Sequence, residues 1–147
     1  MQVASTGLPY LIVPVQPAGL AAAAIQTPDF EALLAECGAK FVYVLDPAAA
    51  EGRTWDNAGR VEDVATGSAA GPAAGYLVEH RVYPAAAAFA IAQGRFTGRP
   101  SIIEVRREAS DGHIWVGGPV APVAGGRFHA RLPKDPAYKS SAPGPES

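Results

Sequence analysis

Val61-Glu62-Asp63-Val64-Ala65-Thr66-Gly67-Ser68-Ala69-Ala70-Gly71-Pro72-Ala73-Ala74-Gly75-Tyr76-Leu77-Val78-Glu79-His80 is the stretch on which the reading of this chain turns. It reads as the end of a strand, a tight turn containing glycine, and the start of an apolar helix. Thr66 is the expected N-cap, because its hydroxyl can accept a bond from an unpaired amide of the first turn. Small residues fill that turn, so a ligand can come close to the backbone. The N–H groups of Gly67, Ser68 and Ala69 are expected to be free and to point outward. Such a helix start favours a carboxylate or phosphate. The same residues also suit an ordinary helix start with no ligand. Pro72 removes one amide and crowds the carbonyl of Ser68, so a kink near the first turn is expected rather than a break. Tyr76 and Leu77 should face a sheet. His80 falls at the C-terminal end, where partial positive charge suits the helix dipole.

The bulk of the chain narrows the classes of function. At 147 residues it is one domain or half of a larger one. Hydrophobic residues make up 48% and charged residues 18%, which suits a folded chain rather than a disordered one. The formal net charge is −2 and no Lys/Arg cluster stands out, which argues against nucleic acid as a partner. The longest apolar runs, Leu8–Val15 and Ala18–Ile25, are short and broken by Pro or Gly, so neither is expected to span a membrane. The opening residues do not read as a signal peptide. A single cysteine, Cys37, leaves no internal disulfide, and a cytoplasmic location is the expectation.

Outward from the central stretch, Gly7–Val15 is rich in β-branched and aromatic residues and predicts a strand, with prolines that suit an edge or a bulge. Thr27-Pro28-Asp29 opens a helix. Phe30, Leu33, Leu34 and Cys37 follow at i, i+3, i+4 and i+7, and Gly38 is the stop. That spacing predicts a buried, inert Cys37. Phe41–Leu45 is a strand. Asp46–Arg60 reads as a long loop holding Trp55, which either lies over a site or packs under a solvent-facing connection. Phe89–Gln93 and Ile102–Arg106 are strands. Ser110-Asp111-Gly112-His113 is a hairpin turn leading into a return strand, His113–Val116. Val120–Val123 and Arg127–Leu132 read as strands flanking Gly125-Gly126. Residues 133–147 are expected to be a disordered tail, leaving 1–132 as the domain.

Several chemistries find no support. His80, His113 and His129 are scattered, and no His/Cys/Asp spacing fits a zinc site. Ser68 lacks the Gly-x-Ser-x-Gly setting of a hydrolase. No phosphate loop or dinucleotide pattern is present, so no cofactor is expected.

The string Glu62-Asp63-Val64-Ala65-Thr66-Gly67-Ser68-Ala69-Ala70-Gly71-Pro72 resembles the signature of the PhzF-like (phenazine-biosynthesis-type) isomerases, which share the diaminopimelate epimerase fold. That family usually has Pro where this chain has Val64. Ser5-Thr6-Gly7-Leu8-Pro9-Tyr10 is similar to the opening of the family's second domain. Gln93-Gly94, then Gly98-Arg99-Pro100-Ser101, then a strand, follows the family's order. The resemblance implies an α+β fold in which a curved, mostly antiparallel sheet wraps a central helix. It also implies a substrate cleft between two similar halves. The first half normally supplies a Glu as the acid/base, and this sequence resembles the second half alone.

Carried over by that resemblance, Asp63 and Ser68 are the expected catalytic residues. Thr66, Gly67, Ala69, Thr6 and Gly7 are the expected substrate contacts. Proton transfer on such an acid needs a tuned carboxyl group and a fixed cradle for negative charge. Asp63, held at a helix start, suits orienting and accepting hydrogen bonds better than donating a proton; simply capping the helix is its other reading. Two functions stay open. One is an isomerase acting on a small cyclic or amino carboxylic acid, its site completed in a homodimer or by a separate N-terminal-half subunit. The other is a non-catalytic module that binds a small carboxylate.

Overall fold

The structure, a computed structural model, describes residues 1–86, 88–108 and 110–127. Seven strands form one sheet, and their order across it is their order along the chain. They are β1 (Gln2–Ser5), β2 (Pro9–Pro14), β3 (Phe41–Asp46), β4 (Glu51–Arg53), β5 (Ala88–Gln93), β6 (Ser101–Arg107) and β7 (Ile114–Gly117). β2 with β3 and β4 with β5 pair parallel, and the other pairings are antiparallel. The helices are α1 (Pro17–Ala22), α2 (Phe30–Glu36) and α3 (Gly67–Glu79). α3 touches both edge strands, β1 and β7, as well as β2, β3 and β6. The sheet therefore curls around α3, the α+β arrangement implied by the resemblance.

The two parallel pairings explain which helix lies on which face. α1 and α2 carry the chain from β2 to β3, and α3 carries it from β4 to β5. Such crossovers are right-handed almost without exception. Both move the chain the same way across the sheet. However, β4 runs opposite to β2, because β3 and β4 are antiparallel. A right-handed crossover leaving a reversed strand lands on the other face. α3 therefore fills the inside of the curl, while α1 and α2 cover its outside.

Each face has its own core. Inside, Tyr10, Ile12, Tyr43, Leu45, Ile91, Ile103 and Val105 pack on Ala69, Ala70, Ala73, Ala74, Tyr76 and Leu77 of α3. Outside, Val42 and Val44 pack with Leu20 of α1, Leu34 of α2 and Trp55. β3 is covered on both faces, which is why it reads as an unbroken apolar run rather than an alternation. The alanines let α3 lie close to the sheet. Gly71 allows a closer approach still, because a Cβ there would fall 2.5 Å from Thr6 Oγ1. The helix continues through Pro72, which is buried in its first half.

Several expectations need correction. Cys37 is exposed, not buried. α2 is only seven residues long and seats Leu34 alone fully in the core, while Leu33 is exposed and Gly38 turns the chain away at φ +74°. The expected loop over Asp46–Arg60 contains β4. Its Gly52 has no side chain because a Cβ would run into the Tyr43 ring. Val120–Val123 is not a strand, and both valines are exposed. Pro119 and Pro122 remove two donors there. The Ala69 amide is paired, as described below. The rest of the expected Arg127–Leu132 strand and the tail at 133–147 lie outside the described residues.

Candidate active site

A cavity of about 360 Å³ opens beside the N-terminus of α3. Leu8, Tyr10, Phe41, Trp55 and Val61 give it an apolar wall; Asp56, Glu62, Asp63, Thr66 and Ser68 give it a polar side. Trp55 thus lies against the cavity while being almost wholly buried.

The polar side is a loop held at three points. First, Asp63 N–H donates to the Thr54 carbonyl at 3.0 Å, and Trp55 and Glu62 form a β-bridge. Second, Arg53 grips Glu62 while its guanidinium lies 4.9 Å from the Trp55 ring and 4.4 Å from the Phe96 ring. Third, Gln93, at the end of β5 and 1% exposed, spreads its amide across the turn. Its Nε2 donates to the Asp63 carbonyl at 3.0 Å and to Thr66 Oγ1 at 2.9 Å. Its Oε1 accepts from the Thr66 amide and from the Tyr43 hydroxyl, each at 3.3 Å. Gly94 follows at φ +85°, and a Cβ there would meet the Val64 carbonyl at 2.6 Å. The Gln93-Gly94 pair is therefore built to let the loop dock.

Thr66 occupies the N-cap position but makes no capping bond with its side chain. Its hydroxyl donates instead to Asp63 Oδ2 at 2.6 Å. A bond to a carboxylate is the stronger of the two uses. Asp63 Oδ1 accepts from the Val64 amide at 2.8 Å. Both oxygens of Asp63 are thus occupied in shaping the turn. The Ala69 and Ala70 amides both donate to the Thr66 carbonyl, at 3.0 and 3.2 Å. The expected free amide on Ala69 is therefore absent, and that residue is wholly buried. The amides of Gly67 and Ser68 have no partner among the described residues. Ser68 Oγ lies 2.8 Å from Tyr10 Oη.

The structure brings Asp63, Thr66, Gly67 and Ser68 together but sets Thr6 and Gly7 apart. Thr6 packs on Gly71, one turn into α3, and lines a separate groove with Pro72 and Tyr76. Gly7 makes the β1–β2 turn at φ +140°, its amide on Ser5 Oγ. It is Leu8 and Tyr10 of this hairpin that reach the cavity. From sequence, Tyr10 and Gln93 enter only as parts of strands and of the family's motifs and Arg53 not at all; none of the three is given a role at the site. The signal for Gln93 was a lone amide closing the apolar run Phe-Ala-Ile-Ala (89–92).

Burial holds the Tyr10 phenol above its ordinary value, the nearby Asp63 charge adds to the rise, and the Ser68 hydrogen bond partly opposes it. Tyr43 is raised as well, first by burial and then by the Glu51 charge and the neighbouring Tyr10 phenol. Both therefore stay neutral and able to donate. Among the described residues, no group of three His, Cys, Asp or Glu side chains could hold a metal ion. No described helix is long and apolar enough to cross a membrane. The Ser68 hydroxyl thus lines a cavity with an aromatic wall, on a first helical turn whose Gly67 and Ser68 amides are unpaired, and helix starts of this kind attract anions.

Known proteins resemble this chain in sequence and in fold. Over 52 residues the chain is 50% identical to trans-2,3-dihydro-3-hydroxyanthranilate isomerase of Pseudomonas aeruginosa, a match covering 35% of this chain and 19% of that protein. A solved structure described as a predicted epimerase, also from Pseudomonas aeruginosa, aligns with a TM-score of 0.72 at 54% identity. That alignment covers 78% of this chain and 40% of the other, so the chain spans less than half the length of these relatives. The family model PhzC-PhzF, described as phenazine biosynthesis-like protein, matches residues 1–126, and the chain belongs to that family.

Proposed function

We propose that the chain forms part of an isomerase that moves a proton on a small cyclic carboxylic acid. The observation that carries this is the meeting of Ser68, on the first turn of α3 where the Gly67 and Ser68 amides are unpaired, with the Tyr10, Phe41 and Trp55 wall in one cavity. Gly67 and Ser68 bind the carboxylate. Asp63 and Thr66 hold the turn that presents them, and an Asp63 lone pair not used by the turn accepts a hydrogen bond from the substrate's polar substituent. The named isomerase relative points to a dihydro-hydroxyanthranilate-type acid as the candidate substrate.

Proton transfer between two carbons needs a group that cycles between acid and base. The carboxylates lining the cavity are all engaged: Asp63 by the turn, Glu62 by Arg53, and Asp56 by the Arg60 amide. The cycling acid therefore comes from a second protein unit facing the cavity, either another copy of this chain or a separate subunit. Reaction in the cytoplasm is part of the same reading. The engagement of these carboxylates also favours a second reading, a carboxylate-binding module without turnover.

Solvent deuterium incorporation into a dihydro-hydroxyanthranilate acid is the test. Exchange that needs a partner unit and is lost in Asp63→Asn and Ser68→Ala supports the isomerase. Binding without exchange under any pairing supports the module. Exchange by the chain alone that survives Asp63→Asn refutes the assignment.

A further inference from the structure

Tyr10 Oη and Ser68 Oγ lie 2.8 Å apart, and by distance either could be the donor. Their surroundings differ. The Tyr10 ring is buried at 2% exposure and stacked on Phe41 with centroids 5.2 Å apart. Ser68 is exposed on the first turn of α3 and lines the cavity. A phenol, with an ordinary pKa of about 10, is a far stronger acid than an aliphatic alcohol. In a hydroxyl pair the more acidic group is the better donor and the alcohol oxygen the better acceptor. No hydrogen bond carries the Ser68 proton to any other described residue.

We infer that Tyr10 is a positioning residue: its phenol donates to Ser68 Oγ and leaves the serine O–H to donate into the cavity, beside the Gly67 and Ser68 amides. The opposite polarity would turn serine lone pairs toward an incoming carboxylate and repel it. Burial opposes loss of the phenolic proton, and with Asp63 on the neighbouring loop it outweighs the opposite pull of the Ser68 hydrogen bond, so the donor is kept. Ser68 is then a third hydrogen-bond donor to the ligand and neither a base nor a nucleophile. Only Oη separates Tyr from Phe, so the Phe41 stack would survive the substitution. This inference rests on the reading of the cavity as a carboxylate cradle.

Two measurements test it. Raman difference spectra, wild type minus Tyr10→Phe, isolate the Fermi doublet of Tyr10 in the ligand-free chain. The doublet should report a hydrogen-bond donor, and Ser68→Ala should convert it to a free phenol. An acceptor signature overturns the inference. Calorimetric titration with 3-hydroxyanthranilate, as an aromatic carboxylate probe, is run on wild type, Tyr10→Phe, Ser68→Ala and the double variant. Tyr10→Phe should weaken binding roughly five- to tenfold. In the Ser68→Ala background it should have no further effect, because Tyr10 acts through Ser68. Additive losses, or an unchanged Kd in Tyr10→Phe, overturn it. A donor signature in a chain that takes no probe overturns the cradle and, with it, the ligand role of the pair. Probe binding without a donor signature overturns only the pair.

Discussion

Arg53 and Glu62 form a two-pronged ion pair, Nε to Oε1 at 2.9 Å and Nη2 to Oε2 at 2.6 Å. The other arm of the guanidinium donates to the carbonyls of Leu20 at 2.8 Å and Ala23 at 3.0 Å, at the end of α1. One side chain thus ties the outer helix to the residue preceding Asp63. Both partners are largely buried, with side chains 10% and 13% exposed. Removing one leaves the other charge uncompensated. Arg53→Ala should cost about 3–5 kcal/mol in urea unfolding. Arg53→Lys should recover only part of this, since an ammonium cannot reproduce the fork or the stacking on Trp55 and Phe96.

Gln93→Leu should destabilise the chain by roughly 2–4 kcal/mol, because it strands the Thr66 amide and the Tyr43 hydroxyl. Hydrogen exchange at the Thr66 amide should accelerate more than exchange in the middle of α3. Equal acceleration across the helix would mean that Gln93 does not act on the turn.

Gly71→Ala should cost about 1–3 kcal/mol through overpacking against Thr6. Thr6→Ala in the same chain should restore most of that loss, since it removes the Oγ1 and Cγ2 atoms that crowd the new Cβ. Thermal unfolding of the two single variants and the double variant checks this. Additive losses would contradict the contact.

Glu51 predicts a pH dependence. Its hydrogen bonds from Arg95 hold its carboxyl below the ordinary 4.5, with burial opposing. A carboxyl with a lowered value when folded stabilises the fold above the unfolded value. That contribution is lost as pH falls through the folded value. Glu51→Gln should therefore unfold at lower temperature than wild type at neutral pH, and the two should converge in acid. Arg95 is 61% exposed at its side chain, so added salt should narrow the neutral-pH difference.

The central helix, β2, β3, β5, β6 and the hairpin into β7 were legible because each carries a periodic apolar pattern or an unambiguous turn. β4 was not, since Glu51-Gly52-Arg53 has no β-branched or aromatic residue and is a strand only by virtue of its neighbours. β1 is a four-residue edge strand whose alternation is too short to stand out. Cys37 misled because i, i+3, i+4 spacing assumes a helix long enough to keep its face on the sheet, and α2 ends first. At the site, the Asp63–Ser68 turn was legible from its motif. The side chains that hold it were not, because Arg53, Gln93 and Tyr10 lie 10, 30 and 53 residues from Asp63 and reach Glu62, the Asp63 carbonyl and Ser68 only through the sheet.

The match between strand order and chain order bears on how the fold forms. Every ladder joins strands adjacent in sequence, so no pairing must wait for a distant segment. Loop-closure entropy is then paid in small instalments, and topologies of this kind fold quickly for their size. The largest single closure joins β4 to β5 and spans all of α3. That step assembles the inner core and docks Gln93 against the Asp63–Thr66 turn, so it should limit the refolding rate. The site would then be completed in the slowest event of folding, and a chain stalled before it would carry β1 to β4 in register without a cavity.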